Sequence, residues 1–267
     1  MKMFITSIIS CVVCFVLFGI STGIFGVKEI DSVVIYNESA DNSVESDTLF
    51  SGNTTVSDSW KVKGDFSEIK INSYGVNTNI TRSDRKDILV KLENERKKDV
   101  DIMASYTTNS LNKSKKLDIH VSPRISTIFG NISFGLVDWM EDAFTGRSSS
   151  VTLNIELPSK DYNSLEIYQG SGNVSIKGVN ALCNTINIGS GKFELENSGT
   201  GGQNASNLFL TLGSGSAYVK GVRPQNYTLD IGSGWFDIDG LMGQGSVDMG
   251  SGSGTISFAS KLYTDFW

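Results

Sequence analysis

The chain has 267 residues, with 28 glycines, only 3 prolines and a single histidine, His120; 23 basic and 29 acidic residues leave a net charge of -6. A chain this long buries a substantial core, its acidic balance argues against a nucleic-acid partner, and one histidine excludes His-rich metal sites. High glycine with little proline points away from a helical protein and toward strands and tight turns.

From Met3 to Val27 no residue is charged, and Lys2 is the only charge before Lys28. As a helix rising about 1.5 Å per residue, such a run more than covers a bilayer core. It also exceeds the usual apolar stretch of a cleavable signal, about 7–15 residues. Residues 1–27 are therefore expected to be a signal-anchor or transmembrane helix. Ser21, Gly23 and Gly26 are the positions a signal peptidase would use in the alternative. Ile8-Ile9-Ser10-Cys11 loosely fits a lipidation box, but the apolar run continues well past Cys11. The bias from Lys2 faintly favours a cytoplasmic amino terminus, leaving the rest of the chain outside. Cys11 and Cys14 then read as small helix residues, and Cys183 is left alone in the exported part, where no internal disulfide can form.

Residues 28–59 are predominantly polar in their later part and lack sustained periodicity, as expected of a flexible stalk. Alternating runs begin near Trp60, among them Glu68-Ile69-Lys70-Ile71, Ile88-Leu89-Val90-Lys91-Leu92 and Leu117-Asp118-Ile119-His120-Val121. Each predicts a strand with one buried face. They make irregular first coils over 60–128. An apolar excursion over 129–147 follows, with Val137, Met140 and Phe144 on one helical face, and reads as a cap over an open interior or a membrane or partner contact.

The regular part spans 151–260. Gly-Ser-Gly recurs from Gly170, Gly189, Gly213, Gly232 and Gly250, at spacings of 19, 24, 19 and 18, the longer interval containing the loop-like Asn197–Asn204. Each copy lies between two alternating runs, such as Ile186-Asn187-Ile188 before and Phe193-Glu194-Leu195 after. A repeat of about nineteen residues in short strands predicts an all-β chain: a parallel β-solenoid, or β-helix, with glycine at the crowded corners. Residues 261–267, which carry three aromatics, are expected to cap the last coil.

The run Val151-Thr152-Leu153-Asn154-Ile155-Glu156-Leu157-Pro158, the segment Leu165 to Ile176 around Gly170-Ser171-Gly172, and the later Gly-Ser-Gly coils resemble the bacterial putative-adhesin family with a DUF4097-type β-solenoid domain. The resemblance covers residues 60–260. It implies a surface-exposed, often membrane-anchored solenoid of the bacterial envelope, sometimes linked with envelope-stress systems, and supplies no catalytic residues.

No nucleophile elbow, zinc-protease motif, dinucleotide fingerprint or complete phosphate loop is present, since Gly191-Lys192 is followed by Phe193. No catalytic residue, metal site or cofactor is assigned. Asp230, Asp237, Asp239 and Asp248 fall at outward positions and read as solvated surface, with loose calcium binding or a glycosidase pair as the alternatives. His120 reads as structural. The candidate contact surface is Tyr218 and Trp235, outward residues on adjacent coils expected about 7–8 Å apart as diagonal neighbours.

The reading is a non-enzymatic cell-envelope protein, single-pass in the cell membrane, whose extracytoplasmic solenoid binds or scaffolds envelope glycan or a membrane protein. The alternative is an accessory or sensing subunit of an envelope-stress membrane system. A polysaccharide-active enzyme is a third reading.

Overall fold

The computed structural model describes residues 45–54, 57–94, 100–123, 151–196, 207–241 and 243–258. Every element in them is a strand: β1 (Glu45–Thr54), β2 (Asp58–Val62), β3 (Glu68–Ser73), β4 (Asn77–Ser83), β5 (Ile88–Asn94), β6 (Val100–Thr108), β7 (Lys115–Pro123), β8 (Val151–Pro158), β9 (Asp161–Ser171), β10 (Val174–Lys177), β11 (Asn180–Glu196), β12 (Asn207–Lys220), β13 (Asn226–Leu241) and β14 (Gln244–Phe258). Alternation explains the faces. In β8, Val151, Leu153, Ile155 and Leu157 are buried and the residues between them are not, as a side-chain period of two requires.

All fourteen strands belong to one mostly parallel, nearly closed sheet, folded into a stack of rungs. A rung has two limbs that meet at a corner. β11 shows the unit: its first half pairs with β9, its second half with β10, and Gly189-Ser190-Gly191 makes the bend between them. β12, β13 and β14 repeat β11 in parallel register. The pairs β9/β10, β3/β4, β7/β8, β5/β6 and β1/β2 supply the same two limbs as separate strands.

Two apolar columns run through the stack. On the first limb the partners are Phe50, Ala104, Ile119, Ile71, Ile167, Ile186, Leu210, Leu229 and Val247. On the second they are Trp60, Val90, Ile155, Ile80, Ile176, Leu195, Val219, Ile238 and Ile256. The columns face each other, and at one end Phe50 stacks on Trp60 with centroids 4.7 Å apart and planes within 6°. That pair closes the interior between the limbs, backed by Tyr106 packed edge-on against Phe66.

A polar break lies in the inward column that neighbours the first of these. Gln169 occupies the inward position that Ile188 fills one rung later. Its carboxamide accepts from Ser73 Oγ and, at 3.0 Å, from Thr78 Oγ1, and donates to the Val76 carbonyl and, at 2.6 Å, to that of Ser171. It thereby fastens the six-residue bend, Ser73 to Thr78, to the first Gly-Ser-Gly corner, where a Cβ on Gly172 would also drive into the Val76 carbonyl oxygen. Buried polar groups satisfied in this way rigidify a core.

Two expectations need correction, and the order of the early coils is new. Residues 45–54, assigned above to a flexible stalk, form β1, and Asp58 and Ser59 belong to β2. Polarity misleads here because β1 is an edge strand held by main-chain pairing to β6. The stack is not wholly parallel: β5/β6 runs from the second limb to the first, so it is antiparallel to β7/β8 on one side and to β1/β2 on the other. The early coils also do not follow chain order. β3/β4 inserts between β7/β8 and β9/β10, parallel to both. The segments expected at 1–27 and 129–147, the residues of the stalk before 45, the loop at Asn197–Asn204 and all but the first residues of the C-terminal region lie outside the described residues, as does the aromatic cap at 261–267.

The corner geometry admits almost no alternative to glycine. Gly191, Gly215, Gly234 and Gly252 have φ between 124° and 138°. A Cβ on Gly215 would drive into the carbonyl oxygen of Gly191, and one on Gly234 into that of Gly215. The first glycine of each corner is confined as well: a Cβ on Gly232 would lie 2.6 Å from the Gly213 oxygen. Backbone strain and displacement of a neighbouring carbonyl therefore act together. Gly215→Ala is expected to cost about 3 kcal/mol or more, lowering the melting temperature by roughly 6–12 °C, whereas Ser214→Ala costs under about 1 kcal/mol. Thermal unfolding followed by circular dichroism checks the pair, and equal melting temperatures would contradict the stacked-corner geometry.

Candidate binding surface

The outer face of the second limb is set by the same register. Asn173, Lys192, Ser216, Trp235 and Ser253 form one column beside the corner; Ser175, Glu194, Tyr218, Asp237 and Thr255 form the next. Asparagines tie the early rungs: the Asn173 amide donates to Asn77 Oδ1 at 3.0 Å, and the Lys192 amide to Asn173 Oδ1 at 3.1 Å.

The register brings Tyr218 and Trp235 together. Their ring centroids are 4.9 Å apart with planes inclined by 56°, closer than the backbone diagonal because the rings lean toward each other. Ser216, opposite Trp235 in its column, occupies little of the space they use. Tyr218 is 39% exposed and Trp235 half-buried. Lys192, whose partnership sequence reasoning missed, holds its ammonium 4.9 Å from the Tyr218 centroid and pairs with Glu194. The hydrogen bond to Glu194 is the main reason the Lys192 pKa is raised, with a further contribution from the Glu194 charge. A cation and two rings thus form a triangle across β11, β12 and β13, with Lys192 and Trp235 in the column beside the corner and Tyr218 between them in the next, a geometry favourable for cation–π and tilted aromatic contact. The readable signal was an outward Lys one rung before an outward Tyr.

The four outward acids divide between the limbs. Asp230 and Asp248 are register partners on the first limb. On the second, Asp237 lies opposite Tyr218, and Asp239 accepts a hydrogen bond from Ser257. They do not converge, and among the described residues no group of three or more His, Cys, Asp and Glu side chains is placed to hold a metal ion. Cys183 is half-buried and free. Among these residues no helix is long and apolar enough to cross a membrane.

A second outer cluster, on the first limb, was not anticipated. His120 faces outward, half-buried, with its ring 5.8 Å from that of Tyr74 and with Met103 and Asn72 as register partners. Lys70 Nζ lies 5.5 Å from the Tyr168 centroid in the adjoining strands. Lys116 and Glu166 form a 2.8 Å pair across β3, a surface contact contributing under about 1 kcal/mol.

A family model described as Toastrack DUF4097 matches residues 66–261. The chain belongs to the DUF4097 family. No curated protein matches it. Among solved structures, this DUF4097 protein is similar to one titled a putative cell adhesion protein, from Clostridium sporogenes, at 16% identity and a TM-score of 0.47, covering 81% of this chain and 99% of that one. A putative adhesin from Bacteroides fragilis shares 15% identity at a TM-score of 0.32, over 76% of this chain and 94% of that one. Another, from Parabacteroides distasonis, shares 10% identity at a TM-score of 0.26, over 74% and 97% respectively.

Burial is the main cause that pushes the His120 pKa below its ordinary value, against the opposing pull of Asp118 and Asp101. The unfolded chain therefore binds more protons than the folded one just below the usual histidine pKa of about 6.5. The stability favoured by a neutral ring is present above that pH and is lost as pH falls through it toward the folded-state value. His120→Gln is expected to make the fall in melting temperature between pH 7 and pH 5 shallower than in the parent. Parallel curves would assign the fall to other groups.

Proposed function

We propose that this DUF4097 protein is a non-enzymatic surface protein of the bacterial cell envelope. Residues 1–27 hold it in the membrane as a single pass, and its β-solenoid of about nineteen-residue coils stands outside the cytoplasm as a rigid binding surface. The observation that carries this reading is the Lys192, Tyr218 and Trp235 cluster. The rings sit on consecutive rungs of one sheet, so their spacing is set by main-chain pairing and little side-chain freedom is lost on binding.

The chemistry suits envelope glycan. Aromatic faces take the apolar C–H faces of sugar rings, while Glu194, Asp237 and Asn173 offer acceptors and donors to hydroxyl groups at the margins. A membrane protein with an apolar, weakly cationic patch is the other partner class that fits. No nucleic acid is proposed for an acidic chain, and no cofactor or metal is part of the reading.

Tyr218→Ala combined with Trp235→Ala is expected to reduce pull-down by isolated cell-wall glycan at least about tenfold, with the melting temperature unchanged within about 2 °C. Undiminished pull-down, or loss accompanied by unfolding, would overturn the assignment of this surface.

A further inference from the structure

The two ends of the stack are finished differently. At the β1/β2 end, Phe50 and Trp60 close the interior, β2 is five residues long, and β1 carries a register shift between Thr48 and Phe50. Short strands, bulges and charges are the usual protections of a sheet edge, and this end has Asp47, Asp58 and Lys61 as well.

β14 has little of this protection, since the register shift in its pairing lies in β13, between Asp239 and Leu241. It is a fifteen-residue strand, QGSVDMGSGSGTISF, without proline or lysine, and Asp248 is its only charge. Among the described residues it pairs with β13 alone. Its inward residues remain open: Val247 is 40%, Met249 38% and Phe258 64% exposed, although their partners Leu229, Ile231 and Leu241 are buried. A long, regular, nearly neutral edge with an apolar inner column is a template for strand addition.

We infer that β14 is the dimerisation edge, and that its partner is β14 of a second copy running antiparallel. The strand is complementary to its own reverse. Ser251 lies at its midpoint, so a twofold axis near the corner lays the first limb of one copy on the second limb of the other. Inward residues must meet inward residues. The register that uses all of them sets Gly245 against Phe258, Val247 against Ile256 and Met249 against Gly254 of the second copy. Each large side chain outside the central aliphatic pair meets a glycine. On the outer face Asp248 meets Thr255, so the only charges on the two strands do not oppose each other. The two apolar columns then continue from one copy into the next, and the open end is buried.

The test uses the full-length chain in mild detergent, with Cys11, Cys14 and Cys183 replaced by serine. Asp248→Cys and Thr255→Cys lie on different limbs of one rung and cannot meet within a chain. Between antiparallel copies their Cα atoms fall at the spacing a disulfide spans. The double variant is expected to give a covalent dimer on mild oxidation, and either single variant a monomer. A double variant that stays monomeric while retaining the parent melting temperature would overturn the inference; β14 covered by residues 259–267 gives that result. Dimers from the single variants to the same extent would overturn the register. Mass measurement without cross-linking supplies an independent readout: the parent is expected to be dimeric at micromolar concentration and Met249→Lys monomeric. A monomeric parent would overturn the proposal.

Discussion

The close approach of each corner to the carbonyl oxygen of the corner beneath it governs the rest of the molecule. Gly191 rests against Gly172, Gly215 against Gly191, Gly234 against Gly215 and Gly252 against Gly234, all at φ values that side-chain-bearing residues rarely adopt. A corner displaced by one residue would bring a Cβ onto a backbone oxygen, so glycine stacking locks the register on both limbs at once. Since a one-residue slip exchanges the faces of a strand, that lock keeps Leu210 on Leu229 and Phe193 on Ala217 inside. It equally keeps Lys192, Tyr218 and Trp235 together outside. The architecture and the candidate surface share one cause.

Where the corner beneath is not Gly-Ser-Gly, other chemistry reinforces the contact. The bend from Ser73 to Thr78 presents the Val76 carbonyl to the rung that follows, and Gln169 meets it with an amide while Ser73 and Thr78 satisfy the amide's oxygen. This joint connects the irregular early rungs to the regular later ones. It carries a buried polar cluster in an otherwise aliphatic column, a cost accepted where two unlike corners must stack.

The later rungs were legible because their information is local. Gly-Ser-Gly at a near-constant period, flanked by alternating pairs such as Leu229/Ile231 and Phe236/Ile238, specifies both corner and faces. The Tyr218–Trp235 neighbourhood followed from that register alone. The early rungs were not legible, because their order is a matter of long-range pairing. Nothing near Ile69 or Ile80 states that β3/β4 inserts between β7/β8 and β9/β10, or that β5/β6 runs backward. β1 was missed for a related reason: its outward and edge positions are polar, and its membership rests on backbone pairing with β6. The cation on the aromatic pair was missed because a Lys-Glu couple two residues apart reads as ordinary solvated surface.

Rungs are ordered by corner and column contacts rather than by chain order, with β3/β4 enclosed on both sides. Residue-resolved amide hydrogen exchange tests this order most directly, since protection follows the stability of the opening that exposes each amide. Residues 68–73 and 77–81 are expected to be protected as strongly as 165–169 and 186–188, and 88–94 less strongly, despite their neighbouring places in the sequence. Protection of residues 68–81 no greater than that of 88–94 would contradict the interleaved order.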